Sequence, residues 1–185
     1  FLHRALNRPV RRRDIFKHLF TFASTILDRV FMLQAKTDQF SLEVEGRELV
    51  MDRLKENKGC ILMGSHLGSF EVLRCLADSV DHLSLKMLMD AGASEKFNRH
   101  LYAINPDITL SIIDSTKPDC VFEVDEAIKT GHIVGILGDR VMTKERSIQC
   151  NFLGHKADFP TGPMLMASIL KVPVVLFFGV YLGGN

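Results

Sequence analysis

The sequence contains no uninterrupted apolar run close to the roughly 20 residues that a membrane-spanning helix needs, and its most apolar stretch, residues 172–182, is strand-length and broken by Pro173. No secretory signal pattern opens the chain. Its four cysteines, Cys60, Cys75, Cys120 and Cys150, are widely spaced with no CxxC pair, and Cys60 lies in an apolar run. That usage argues against a disulfide scaffold or a zinc site and for a reduced, cytosol-facing protein. Charge of one sign is not in excess either: 23 Lys and Arg stand against 22 Asp and Glu, a net charge of +1. This balance excludes a dedicated nucleic-acid binder. The glycines complete neither a dinucleotide fingerprint nor a P-loop, and zinc-protease spacing is missing.

What is present is an ordinary globular composition, 46% hydrophobic and 24% charged, over 185 residues. That length suits one domain with a substantial core. No internal repeat, low-complexity segment or linker divides it. The chain starts at Phe1 and stops at Gly183-Gly184-Asn185 just after an apolar run, so it reads as an internal piece of a longer protein.

Residues 13–35 carry a helical pattern: Ile15, Leu19, Phe22, Ile26 and Val30 follow three- and four-residue steps, with Phe16, Phe20, Ala23, Leu27 and Phe31 alongside. Arg4, Arg8, Arg11, Arg12, Arg13 and Lys17 gather at its start. The plain reading is a core helix with a solvated basic end. The functional reading is a helix near an anionic membrane surface or an acidic carrier protein. Residues 1–38 form this amphipathic N-terminal unit packing on the core, and residues 39–185 the main domain. In the latter, strand patterns are expected at 40–44, 60–64, 82–89, 108–113, 132–137 and 172–180. Helices are expected at 48–56, 69–77, 93–104, 120–129 and 164–170. Several strands are continuously apolar, as in a largely parallel sheet with helices covering both faces. The fold class is α/β.

In such sheets sites form beyond the carboxyl ends of the strands. There, after Cys60-Ile61-Leu62-Met63, stands Gly64-Ser65-His66-Leu67-Gly68-Ser69-Phe70-Glu71. Five residues turn about 140° in a continuous helix, so His66 and Glu71 meet only if His66 sits in the strand-to-helix turn and Glu71 in the first helical turn. A carboxylate there is favoured by the helix dipole and suits orienting an imidazole that acts as a base. On its own, a histidine near a strand end is more often structural than catalytic. Gly64-x-His66-x-Gly68 resembles a nucleophile elbow with the serine replaced, which leaves a base without a protein nucleophile. The attacking oxygen then belongs to a substrate.

Gly138-Asp139-Arg140 follows the strand at 132–137 and reaches the same sheet edge. Arg140 is a permanent cation matched to phosphate or carboxylate; its plain reading is a surface ion pair, with Asp139 as neighbour. Phe159-Pro160-Thr161-Gly162-Pro163 opens a helix, with Thr161 as N-cap and Pro163 in the first turn. Free amides there suit an anion, although a plain helix start explains the same residues.

In this order the blocks resemble the lysophospholipid acyltransferase superfamily, in its bacterial lipid A biosynthesis (lauroyl/myristoyl) acyltransferase branch, near enzymes of glycolipid and aryl-polyene pathways. The superfamily's His-x4-Asp/Glu block appears as His66 to Glu71, its Asp-Arg block as Gly131 to Arg140, its Phe-Pro-x-Gly block as Phe159 to Gly162, and its Val-Pro strand as Val172-Pro173-Val174-Val175. Asn151-Phe152-Leu153-Gly154-His155-Lys156-Ala157 resembles the Phe-Phe-Gly-x-x-Ala segment of the lipid A branch. The third block departs from the glycerolipid form Phe-Pro-Glu-Gly-Thr-Arg: Thr161 replaces the glutamate, and Pro163-Met164 replaces Thr-Arg.

The resemblance implies a glycerol-3-phosphate acyltransferase-like fold and transfer of an acyl group from an acyl carrier protein or coenzyme A thioester to a hydroxyl of a lipid or glycolipid. It implies His66 and Glu71 as the catalytic pair. Gly68, Ser69, Asp139, Arg140, Phe159, Thr161 and Gly162 would bind substrate, and amides near Gly68 or after Gly162 would hold the oxyanion. No metal or bound cofactor is expected, because the chemistry needs only positioning, a base and charge stabilisation. The expected location is the cytoplasmic face of the bacterial inner membrane. A thioesterase using the same base on water, and a non-catalytic lipid- or carrier-binding domain, are the alternatives.

Overall fold

The computed structural model describes residues 1–34, 39–70, 72–73, 84–90, 92, 111–142 and 146–182. The helix expected at 93–104, most of that at 69–77, and Glu71 lie outside these residues. A short helix α1, Leu2–Leu6, ends at Asn7 in the left-handed region, and α2 runs over Arg12–Leu33. Between them Arg8 donates two hydrogen bonds of 2.7 and 2.8 Å to Asp14. Asp14 also accepts from the Arg11 amide at 2.8 Å, which places a carboxylate on the first turn of α2. The Arg8 side chain, then the Arg11 amide, hold the Asp14 carboxyl well below the usual carboxylate range.

Helix α3 spans Glu48–Lys55 and runs from an acidic first turn to a basic last turn, as the helix dipole favours. There follow β1 (Cys60–Gly68), β2 (Leu85–Met89), β3 (Ile112–Asp114), α4 (Cys120–Lys129), β4 (Ile133–Leu137), β5 (Ser147–Phe152), β6 (His155–Pro160), α5 (Gly162–Leu170) and β7 (Val174–Gly179). Five strands form one sheet in the order β3-β2-β4-β1-β7, with every pair parallel. β1 and β4 lie at its middle and carry its most apolar runs, because both their faces are covered.

The strand period of two divides the core. Ile61 and Met63 of β1 join Val134, Leu88 and Ile113 against Val124, Ala127 and Ile128 of α4 and Ala167 of α5. On the other face Cys60 and Leu62 join Ile133, Leu85, Met87 and Leu73, with Val50 and Leu54 of α3 packed against them. Ile133 and Val124 are fully buried, each a contribution of about 1.5–3 kcal/mol relative to exposure. Helices therefore cover both faces of the parallel sheet, as expected. Cys60, Cys120 and Cys150 are free thiols, and burial pushes the Cys60 and Cys120 thiols up, away from the reactive thiolate.

Two differences from the sequence reading stand out. Residues 41–44 form no strand. Leu42 and Val44 alternate with polar neighbours but both are exposed, so the pattern marks no buried face. Conversely, β5 and β6 form an unanticipated antiparallel hairpin, registered from Ser147↔Pro160 to Phe152↔His155. Its two-residue turn has Leu153 and Gly154 at φ 49° and 75°, the handedness that matches strand twist. Pro160 thus ends a strand, and the helix begins two residues later.

Among the described residues no helix is long and apolar enough to cross a membrane. The apolar stripe of α2 divides along its length. Ile26 and Val30 are partly covered and Met32 is buried, whereas Ile15, Phe16, Leu19, Phe20 and Phe22 are exposed.

Candidate active site

The site begins where β1 leaves regular pairing. Gly64 pairs with Leu137 of β4, and the Gly138 amide donates to the Gly64 carbonyl at 3.0 Å. On the other side Gly64 pairs with Phe177 and Gly68 with Gly179, so four steps along β1 match two along β7. Extra residues in a bulge re-aim side chains, and His66 is in the middle of this one. Gly68 closes it at φ 81°, where a Cβ would lie 1.7 Å from the Gly179 carbonyl oxygen. The next amide, Ser69, donates to that oxygen at 2.8 Å. Only glycine combines this φ with so close an approach.

At the end of β4, Asp139 faces His66. Its Oδ1 is 2.9 Å from Nδ1 of the imidazole, and its Oδ2 accepts from the His66 backbone amide at 3.0 Å. The two side chains are 40% and 26% exposed, so the pair is open to a ligand yet sheltered at the carboxylate. Burial pushes the Asp139 carboxyl up, but the bonds from the His66 ring and amide, with the imidazole charge, outweigh it and leave the carboxyl below its ordinary value. Among the described residues Nε2 of His66 has no hydrogen-bond partner.

The other expected residues have contacts of their own. Arg140 follows Asp139 as an exposed side chain and is not its ion-pair partner, because His66 occupies the carboxylate. Gly68 and Ser69 shape the bulge. The amides of His66, Leu67 and Ser69 already donate to Asp139, to Ser65 Oγ at 3.3 Å and to Gly179 respectively. Phe159 packs edge-on against Phe152 within the hairpin, with ring centroids 5.8 Å apart. Thr161 stands just before α5, but its hydroxyl donates to the Arg146 carbonyl at 3.1 Å rather than capping the helix. Gly162 is exposed at the first turn, with open space where a side chain would be.

The start of α5 lies near Gly138, where a Cβ would be 3.9 Å from Pro163 Cγ and 3.4 Å from Met63 Sδ. Among the described residues no three His, Cys, Asp or Glu side chains form a metal-binding group. The sequence reading missed the direct contact of Asp139 with His66. The signal available for it was the shared sheet edge, which places both residues just beyond neighbouring parallel strands.

A family model described as bacterial lipid A biosynthesis acyltransferase matches residues 10–185. None of the curated proteins compared with the chain matches it.

Proposed function

The chain belongs to the bacterial lipid A biosynthesis acyltransferase family, and from that premise we propose that it moves a fatty acyl group from an acyl carrier protein or coenzyme A thioester to a hydroxyl of a lipid or glycolipid. Membership makes it an acyltransferase. The observation that carries the finer reading is His66, presented on a bulge at the centre of the sheet's carboxyl edge with Nε2 open. In this mechanism His66 takes the proton of the acceptor hydroxyl as its oxygen attacks the thioester carbonyl. The tetrahedral intermediate collapses, the carbon–sulfur bond breaks, and the imidazolium returns the proton to the leaving thiolate.

Glu71 is the carboxylate of the His-x4-Glu block and supports the imidazole charge. The amides flanking Gly68 are largely engaged, which favours the first turn of α5 for the oxyanion, where the Gly162 and Met164 amides lie at a helix N-terminus. In this reading Arg140, exposed and next to Asp139 in the chain, holds a phosphate or other anion of donor or acceptor. Hairpin residue Phe159 and the turn at Thr161 line the acyl side of the site in this reading.

The exposed apolar half of α2, flanked by Arg4, Arg11, Arg12, Arg13 and Lys17, supports a docking role on an anionic bilayer, with the cytoplasmic face of the inner membrane as its location.

The test is transfer from acyl carrier protein thioesters to a bacterial lipid extract, with products read by mass spectrometry. His66→Ala should lower the rate by at least about 10²-fold with the fold intact. Near-normal transfer by the folded variant overturns the assignment of the base. Free fatty acid in place of acylated lipid, with acceptor present, identifies a thioesterase instead.

A further inference from the structure

We propose that the β5–β6 hairpin is a second bilayer-docking element, lying on an anionic lipid surface by one face of its ribbon. Resting on the reading of the acceptor as a lipid, this contact adds to that of α2 and gives a task to residues 151–157, which the transfer chemistry leaves without one.

Strand pairing sorts the hairpin side chains into two faces, because residues directly opposite each other share a face and successive residues alternate. Ile148 with Phe159, Cys150 with Ala157 and Phe152 with His155 make one face; Gln149 with Asp158 and Asn151 with Lys156 make the other. The first is apolar apart from His155, and it is open: Ile148 is 56% and Phe152 51% exposed. Among the described residues the ribbon pairs with no other strand, and two strands alone are marginal in water. Its open end is closed by Thr161, whose amide and hydroxyl donate to the Arg146 carbonyl at 3.0 and 3.1 Å.

The turn adds an independent sign. Leu153 stands at φ 49°, a left-handed conformation that two-residue hairpin turns give to Asn, Asp or Gly. Its side chain stays 43% exposed, so the backbone strain is not offset by entry into the core. Strain held at an exposed position points to a task outside the fold. Charge selects the occupant. Residues 151–156 carry an exposed lysine, Lys156, and no carboxylate, and Arg146 is exposed at the far end of the ribbon. Asp158, the carboxylate of residues 146–160, lies on the polar face and farther from the turn. An apolar face and tip edged by cations match an anionic bilayer: the rings and Leu153 enter the acyl boundary, and the long Lys156 side chain reaches the phosphates.

The sequence has no tryptophan, so a single introduced one reports its own surroundings by fluorescence. Phe152→Trp and Asn151→Trp place it at adjacent positions on opposite faces. The probe is a vesicle of phosphatidylethanolamine and phosphatidylglycerol with brominated acyl chains as quencher. Phe152→Trp should shift to the blue and be quenched, and Asn151→Trp should do neither. Leu153→Asn separates docking from folding. It gives the turn a residue suited to the left-handed region, so the urea midpoint should hold or rise. Partition onto the vesicles should nevertheless fall roughly threefold to tenfold, the weight of the exposed part of one large apolar side chain.

A Phe152→Trp protein that binds the vesicles while its tryptophan stays in water overturns the proposal and leaves α2 as the contact. So does equal quenching on both faces, or a Leu153→Asn protein that binds as tightly as the unaltered one. A blue shift brought on without vesicles, by an acyl thioester or by raised protein concentration, also overturns it, assigning the face to the donor chain or to a second copy of the chain. Absence of vesicle binding by the unaltered protein removes the membrane reading and the proposal together. Transfer to detergent-solubilised lipid in that case leaves the acyl-transfer reading standing.

Discussion

The side chain of Asp139 is held between opposing effects, and the balance sets its pH behaviour. Burial favours the neutral acid, while the His66 ring and amide favour the carboxylate and prevail. A carboxyl whose folded value lies below its unfolded value contributes stability that is fully present above the unfolded value, near 3.9. That contribution is lost as pH falls through the lower folded value. The gap in urea stability between the unaltered protein and Asp139→Asn should therefore hold at neutral pH and close as the pH falls below about 4. A gap unchanged at pH 2.5 would show that ionisation of Asp139 is not its source. Much at this level was legible from residue types: a histidine at a strand end, and a cation and a carboxylate at the same edge. The partner of the histidine was not, because Nδ1 meets Asp139 across strands.

Secondary structure divides along similar lines. Residues 60–64, 133–137 and 174–179 announce themselves as strands because runs apolar on both faces belong inside a parallel sheet. Half-exposed segments are harder. Residues 41–44 and 147–152 both alternate polar and apolar positions, yet only the second is a strand. The difference lies in the partner: Phe152 meets His155 across a two-residue turn and pairing follows, while 41–44 pairs with nothing described. The extension of β1 to Gly68 was also illegible as a strand, since it depends on the close approach of β7. Two alanine substitutions measure that approach. At Gly154 the φ of 75° leaves open space around a Cβ, and the cost should be about 1–2 kcal/mol for a left-handed backbone. At Gly68 the same handedness meets a carbonyl 1.7 Å from the new carbon, and the loss should be at least about 3 kcal/mol. Urea denaturation compares the two, and equal losses would contradict the close packing of the bulge. Gly68→Ala should also lower transfer, because the bulge presents His66.

For the molecule as a whole, α2 is the element on which the proposed membrane contact rests. Its stripe of Ile15, Leu19, Phe22, Ile26 and Val30 is continuous in sequence, but only the second half is partly covered. Phe16 and Phe20 stack at 6.0 Å on the exposed half. Replacing both with serine should leave folding intact, because neither is buried. It should weaken binding to anionic vesicles by roughly tenfold or more, given about 1.5–3 kcal/mol per fully buried large side chain. Co-sedimentation measures it, and raised salt should weaken binding further as the arginines are screened. Unchanged binding by the double variant would remove α2 from the membrane contact.

Local pattern alone was enough to establish an α/β fold, the helices at 48–56 and 120–129, and a histidine at the edge of a buried strand. These follow from periodicity and residue chemistry, which act over a few neighbouring positions. Tertiary structure decided that β4 lies beside β1, that β7 forces the bulge around His66, and that Asp139 holds the imidazole. Strand order and register are long-range properties. Any of several equally apolar parallel strands satisfies the local pattern, and only their packing in one core selects which residues meet.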